Sequence, residues 1–217
     1  MRKVTEVACG VLIDREKGTF LLGSRPEGKP YAGYWEFPGG KLEAGETVHE
    51  ALARELKEEL DLEIGPSYPW FVMEHDYPHA YVRLHFRRCF TWKGAIRCLE
   101  NQTYDWFHRE SDLTRLKLLP MDAMIIERIY LPSVVHRIGD TMRLKELSLE
   151  TGCIVNSVKD TLTAAQNGFQ YVLCAEGREK EILGDKRNPL PVYVQNTTNL
   201  EEALLMGAHG ICVSESS

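Results

Sequence analysis

The sequence predicts an α/β protein in two parts, the first over residues 1–132 and the second over residues 133–217. Three observations predict it. Strand-like and helical periodicities are mixed up to about Leu131. After Pro132 short apolar runs alternate with helical stretches, which implies a parallel sheet. The two regimes meet at a helix that Pro120 opens and Pro132 follows, because proline suits a first helical position and cannot continue a helix past its end.

In chain order, Val4 to Ile13 and Phe20 to Ser24 read as strands, and residues 47 to 60 read as a helix. Gly65-Pro66 and Gly94 mark turns, Tyr81 to Trp92 and Tyr104 to Phe107 return to strand, and Leu119 to Tyr130 is helical. In the second part the strands SVVH, CIVN, YVLC, PVYV and ICVS alternate with helices over Thr141 to Leu149, Val158 to Asn167 and Leu200 to Met206. A weak repeat of period 40 accompanies them: Asn156 to Cys174 and Asn196 to Ser214 each run from Asn through a helix and a glycine into an apolar strand.

The segment that carries chemistry is GKLEAGETVHEALARELKEELDL, residues 40–62. Glu55, Glu58 and Glu59 stand at i, i+3 and i+4 and so share one helix face. Like charges at this spacing repel by roughly a few tenths of a kcal/mol per pair. A divalent cation would relieve that repulsion, and hard carboxylate oxygens suit Mg²⁺ or Mn²⁺. Val48, Leu52, Leu56 and Leu60 recur every four residues, an apolar stripe that locks the helix to a core while the acidic face looks into a cleft. A solvated surface helix is the bland alternative for a run such as ELKEEL. The turn FPGG and the Trp35-Glu36 pair that lead into the segment weigh against it.

With Gly40, Glu46, Arg54, Glu55, Leu56, Glu58, Glu59 and Leu62 in place, the segment resembles the signature of the Nudix hydrolases. The signature's last glycine falls on Asp61. That position closes the helix, where a left-handed conformation is usual and Asp tolerates it better than most residues. The resemblance implies a Nudix α/β/α sandwich with a mixed sheet. It also implies attack of water on a phosphorus of a nucleoside diphosphate linked to another group, with electrostatics lowering the barrier. It carries over Glu55, Glu58, Glu59 and the Gly39 carbonyl as ligands of Mg²⁺ or Mn²⁺. Arg54 becomes an orienting partner of a ligand carboxylate or of Glu46, and Glu46 a residue that holds the loop.

Past the signature, WKGAIRCLENQTYDWF is similar to the MutT branch, which removes oxidised purine nucleotides from the pool. This implies Glu100 as a carboxylate reaching the metal centre, Arg25 as a substrate contact and Asp122 as the reader of the purine edge. Tyr77 becomes a stacking wall for the base. The bland alternatives are a loop acid for Glu100 and a core strand aromatic for Tyr77. Where the branch's bacterial type member has Asn, this chain has Asp122. Ionised Asp only accepts hydrogen bonds, so recognition needs a base that offers donors or a protonated Asp. The expected activity is metal-dependent nucleotide pyrophosphohydrolysis of 8-oxo-dGTP or related (d)NTPs.

Net charge is −6, and each part carries −3, with no basic arm, so polymeric nucleic acid is a poor partner while a small nucleotide is compatible. No apolar run reaches the length of a membrane span, and Val7 to Ile13 reads as a strand instead of a signal peptide, which makes the cytoplasm the expected compartment. Six cysteines form no CxxC pair and read as reduced, buried thiols. His75, His79 and His85 receive no role, and Ser111 has no base nearby in sequence.

In the second part, NGFQYVLC and LPVYVQNTTNLEEALLMGAHGICVS resemble the later strands of thiamine-phosphate synthase, a β/α-barrel family. The 85 residues present allow about half a barrel, since a full one takes ~250. AEGREKEILG and QNTTN stand where that family has glycine-rich phosphate loops, so the segment reads as a catalytically silent, half-barrel-like remnant, with a homodimer through it as one way to cover its sheet. Two other functions are compatible with the sequence: hydrolysis of a thiamine-pathway diphosphate, suggested by this segment alone, and nucleotide sensing without turnover, which the intact acidic triad opposes.

Overall fold

A computed structural model of the chain describes residues 3–100, 102–108, 111, 113–138, 141–142, 152–185, 187–195 and 197–214. They divide into two compact units, 1–67 with 72–130, and 68–71 with 131–217.

The first unit is built on a mixed seven-stranded sheet. Its strands are β1 (Val4–Asp14), β2 (Thr19–Ser24), β3 (Trp35–Glu36), β4 (Gly39–Lys41), β6 (Ser67–Tyr77), β7 (Ala80–Cys89) and β9 (Thr103–His108), with a separate pair β5 (Glu63–Ile64) and β8 (Trp92–Lys93). The order is β3-β2-β1-β7-β6, with β4 on β1 and β9 on β2. Along β7, Val82, Leu84 and Phe86 are buried while Tyr81, Arg83, His85 and Arg87 between them are half-buried, the two-residue alternation of a strand with distinct faces. β1 runs parallel to β7 from Val4↔Tyr81 to Leu12↔Cys89.

The signature helix α1 (Val48–Leu60) starts at a capping box in which Thr47 Oγ1 accepts from Glu50 N and Glu50 Oε2 accepts from Thr47 N. Its Ala51, Leu52, Leu56 and Leu60 are fully buried against Ala8, Leu12, Leu21, Leu62 and Cys89. Each buried leucine contributes roughly 2 kcal/mol, so the apolar stripe fixes which way the acidic residues turn. The helix ends at Asp61, in the left-handed conformation at φ 57° and ψ 29°. The second helix, α2 (Pro120–Ile129), has proline in its first turn and buries Asp122, Ile125 and Ile126.

β6 extends further than the sequence reading, which listed no strand ahead of Tyr81 and touched this segment only through Tyr77 as a core strand aromatic. Pro69 and the charged run Glu74-His75-Asp76 break its alternation, and the strand survives because it lies at the sheet edge, where proline and charge are tolerated. The strand expected from Tyr81 to Trp92 stops at Cys89, and Trp92 pairs with Ile64 instead.

The second unit carries β10 (Val134–Ile138), β11 (Thr141–Met142), β12 (Gly152–Val155), β13 (Tyr171–Cys174), β14 (Val192–Val194) and β15 (Gly210–Ser214), with helices α3 (Val158–Gln166), α4 (Glu179–Leu183) and α5 (Leu200–Leu205). Strand order is β11-β10-β15-β14-β13-β12, all parallel except β11. Every residue of β13 and β14 is buried, as in parallel sheets covered on both faces. The helix expected from Thr141 begins instead as a strand: Thr141 and Met142 pair antiparallel with Ile138 and Arg137. The rest of that expected helix lies outside the described residues. Within this unit Trp70 Nε1 donates to His209 Nδ1 at 3.2 Å, and Tyr68 Oη lies 3.3 Å from Glu201 Oε1. Among the described residues no helix is long and apolar enough to cross a membrane.

Candidate active site

A cavity of about 500 Å³ opens in the first unit between β1, the β3–β4 turn, the loop after β2, the β6–β7 turn and α2. Glu59 lines it, together with Cys9, Arg25, Glu36, Gly39, Tyr77 and Asp122. The β3–β4 turn is brought against β1 by pairing of Gly39 with Cys9 and of Gly40 with Ala8. Gly39 requires glycine, by its φ and by the backbone it approaches, while at Gly40 a side chain would displace the Glu55 carboxylate. A Cβ on Gly39, at φ 139°, would stand 2.1 Å from the Ala8 carbonyl oxygen, and one on Gly40 would stand 2.2 Å from the Glu55 carboxyl carbon.

Arg54 organises the acidic helix. Its Nε and Nη2 donate to the two Glu46 oxygens at 2.7 and 3.0 Å, its Nη1 to Glu55 at 2.9 Å and Glu58 at 3.2 Å, and its Nη2 also to the Lys41 carbonyl at 3.0 Å. Glu46 in turn accepts from the Glu43 amide, and its carboxyl is held down to about 2 by Arg54. One guanidinium thus ties the loop ahead of the helix to two of the three helix carboxylates.

Glu59 faces the other way. It is 7% exposed and accepts from Tyr104 Oη at 2.9 Å, and Tyr104 Oη also bonds Gln102. Burial pushes its carboxyl up to about 7, with Glu55, Glu100 and Glu36 adding to the rise and the Tyr104 bond opposing it. Glu100 lies on the loop before β9 and meets Lys29 Nζ at 3.7 Å, both half in solvent.

At the other end of the cavity, Asp122 reaches from the first turn of α2 and its Oδ1 accepts from the Phe37 amide at 2.8 Å. It is 4% exposed, and burial raises its carboxyl to about 8, the Phe37 bond and Arg25 opposing and Glu36 assisting. Arg25 donates from Nη1 to Glu36 Oε2 at 2.5 Å and from Nε to the Pro30 carbonyl at 2.7 Å. Tyr77, at the end of β6, is 6% exposed, and its hydroxyl is raised by burial and by Asp122 and Glu36.

The structure therefore brings Glu59, Gly39, Arg25, Tyr77 and Asp122 to one cavity, whereas Glu55, Glu58, Arg54 and Glu100 do not line it. Glu58 stands outermost, its side chain 59% exposed. Among the described residues no three His, Cys, Asp or Glu side chains are drawn together as a ready-made cation site. The donor chemistry nevertheless fits Mg²⁺ or Mn²⁺, because the charges of Glu55, Glu100 and Glu36 act on the buried Glu59, a negative field that a hard cation relieves. Sequence reasoning missed Glu36 and Cys9 as cavity residues. Glu36 had a signal in its place just before the FPGG turn, while Cys9 becomes part of the cavity only through the pairing of β1 with β4.

Comparison with known proteins agrees with this architecture. An 8-oxo-dGTP diphosphatase of Haemophilus influenzae is 33% identical over 128 residues, 59% of this chain and 93% of that protein. A CTP pyrophosphohydrolase of Escherichia coli is 33% identical over 125 residues, 58% of this chain and 90% of that one. The solution structure of the E. coli ORF135 protein superposes with a TM-score of 0.50 and 31% identity, covering 58% of this chain and 88% of that chain. The NUDIX domain model matches residues 4–128, more than half of the sequence and all of the cavity just described, and the chain belongs to the NUDIX domain family.

Proposed function

We propose that the protein is a metal-dependent nucleoside triphosphate pyrophosphohydrolase of MutT type, releasing a nucleoside monophosphate and pyrophosphate, with oxidised purine triphosphates such as 8-oxo-dGTP as the preferred class. The observation that carries this is the single cavity with a buried acid of the signature helix, Glu59, at one end and a buried carboxyl, Asp122, at the other. One end suits a metal-bound phosphate chain and the other a base edge.

Glu55, Glu58, Glu59, Glu100 and the Gly39 carbonyl would hold Mg²⁺ or Mn²⁺. When bound, such a cation supplies charge neutralisation at the phosphates and a more acidic water. Arg54 keeps Glu55 and Glu58 oriented, and Tyr104 keeps Glu59 in place. Arg25, fixed by Glu36 and Pro30, contacts the nucleotide, and Tyr77 forms an apolar wall for the base. With its carboxyl at about 8, Asp122 is mostly protonated at neutral pH and both donates and accepts, the capacity that Asn provides.

A second reading changes the base. The E. coli CTP pyrophosphohydrolase is as similar as the 8-oxo-dGTP diphosphatase, and a cytosine edge also offers a donor beside an acceptor. The test is a panel of 8-oxo-dGTP, the ordinary (d)NTPs, CTP and a pyrimidine-precursor diphosphate of the thiamine pathway, assayed with Mg²⁺ or Mn²⁺ for pyrophosphate or phosphate release. Preference for the precursor diphosphate, or no turnover of any compound, would reject this function in favour of the alternatives.

For the second unit the reading is a silent remnant of a thiamine-phosphate-synthase-like barrel. Its support is the parallel sheet, in which β12, β13, β14 and β15 are neighbours in sequence order, as barrel strands are. A homodimer through this unit belongs to the same proposal. All six cysteines are free thiols, which supports a reducing compartment such as the cytoplasm.

A further inference from the structure

The loop between β2 and β3 closes on itself over one side of the cavity. The Arg25 amide donates to the Tyr34 carbonyl at 2.7 Å, the Gly33 amide to the Arg25 carbonyl at 2.9 Å and the Tyr34 amide to the Tyr31 carbonyl at 3.0 Å. Gly28 and Gly33 take positive φ of 85° and 78°, which glycine adopts freely. Tyr31 also takes a positive φ, 61°, and it carries a ring. A left-handed backbone is unfavourable for a bulky L residue, and such conformations persist where the surroundings impose them, most often at ligand sites. A glycine there would fold the loop with less strain, so the ring itself is what the position supplies.

That ring lines the cavity and is half-buried. Its centroid lies 5.4 Å from Tyr77 at an interplanar angle of 65°, 5.4 Å from Tyr34 at 77° and 6.0 Å from His79. Tyr31 and Tyr77 thus form a corner of two aromatic planes facing the same space. A flat ring laid on one plane meets the edge of the other, and both contacts are favourable for a nucleobase.

We propose that Tyr31 is a base-binding residue, the second aromatic wall that with Tyr77 grips the nucleobase; the inference rests on the nucleotide reading above. Stacking is tolerant of base identity because every base has a π face, so Tyr31 rewards the presence of a base while Asp122 discriminates among bases.

The test uses the full chain with Tyr31→Gly, which suits the backbone, and Tyr31→Asn, which keeps a side chain that tolerates it. For each nucleoside triphosphate the wild type hydrolyses, KM rises about tenfold in both variants, since stacking is worth roughly a factor of 5 to 150. The change falls on KM more than on kcat because the contact is made alike in ground and transition states. Ribose 5-triphosphate, which has no base, shows the same KM with all three proteins, and Tyr31→Phe retains wild-type KM for the nucleotides. An unchanged KM for nucleotides, or an equal rise for ribose 5-triphosphate, overturns the assignment of Tyr31. A wild type that turns over no triphosphate refutes the parent reading instead, so the two failures are distinct.

Discussion

Replacing Asp122 by Asn should remove a pH dependence that the buried carboxyl imposes on both stability and recognition. Its folded-state pKa of about 8 stands well above the ordinary value near 4, chiefly through burial. Between pH 4 and 8 the folded protein therefore keeps a proton that the unfolded chain has lost. This group's contribution is most favourable below pH 4, weakens as pH rises through that window and is constant above 8. At about 1.4 kcal/mol per pH unit, the loss from pH 5 to pH 8 is on the order of 4 kcal/mol. For a protein of this size that corresponds to a thermal midpoint change on the order of 10 °C. Asn keeps an oxygen for the Phe37 amide and has no charge to desolvate. The difference in thermal midpoint, Asp122→Asn minus wild type, should be small at pH 5 and large and positive at pH 8. The kcat/KM ratio of wild type to variant for the preferred nucleotide should fall in parallel as Asp122 ionises. Parallel melting curves and a constant kcat/KM ratio from pH 5 to 9 would refute the reasoning, because they would mean that Asp122 is already ionised at neutral pH.

Three other perturbations address the remaining parts of the site. Glu58→Gln should lower kcat by orders of magnitude with the fold intact, because its side chain is largely exposed and only its charge is removed; wild-type hydrolysis in Mg²⁺ would remove Glu58 from the metal set. Arg54→Lys should lower both kcat and the thermal midpoint, by roughly 1–3 kcal/mol of stability, since an ammonium cannot span Glu46, Glu55, Glu58 and the Lys41 carbonyl together; equal activity and melting would show the hub to be replaceable. A chain cut after Pro132 should keep activity, because every proposed ligand precedes the cut, yet melt lower or change oligomeric state as Trp70 and Tyr68 lose His209 and Glu201. Calorimetry and light scattering check it: unchanged midpoint and mass would make the second unit an independent appendage, and a folded but inactive chain would mean that it completes the site.

The local part of this architecture was legible because one helix encodes it. The four-residue apolar stripe and the Asp61 terminus are each fixed by residues within one or two turns, and they determine where Glu55, Glu58 and Glu59 point. Even so, the shared face held a division that spacing alone did not reveal. Glu59 is buried, lines the cavity and accepts from Tyr104, whereas Glu58 lies outward beside Arg54. The edge strand β6 was legible only at its end, Tyr77, for the opposite reason. An edge needs no alternation to be stable, so its proline and charges carried no strand signal.

The Asp122 end of the cavity depended on contacts across long stretches of chain, and there the sequence offered types without partners. Asp122 is 85 residues from the Phe37 amide that holds it, and nothing near residue 122 announces that a peptide group from the β3–β4 turn will be buried against it. That pairing decides the chemistry: a solvent-facing Asp at the start of a helix would be ionised and could only accept, whereas one buried beside Glu36 keeps its proton and gains a donor. The same burial explains why Glu36 carries Arg25 at 2.5 Å. With Asp122 neutral, Arg25 and Glu36 compensate one another at this end of the cavity.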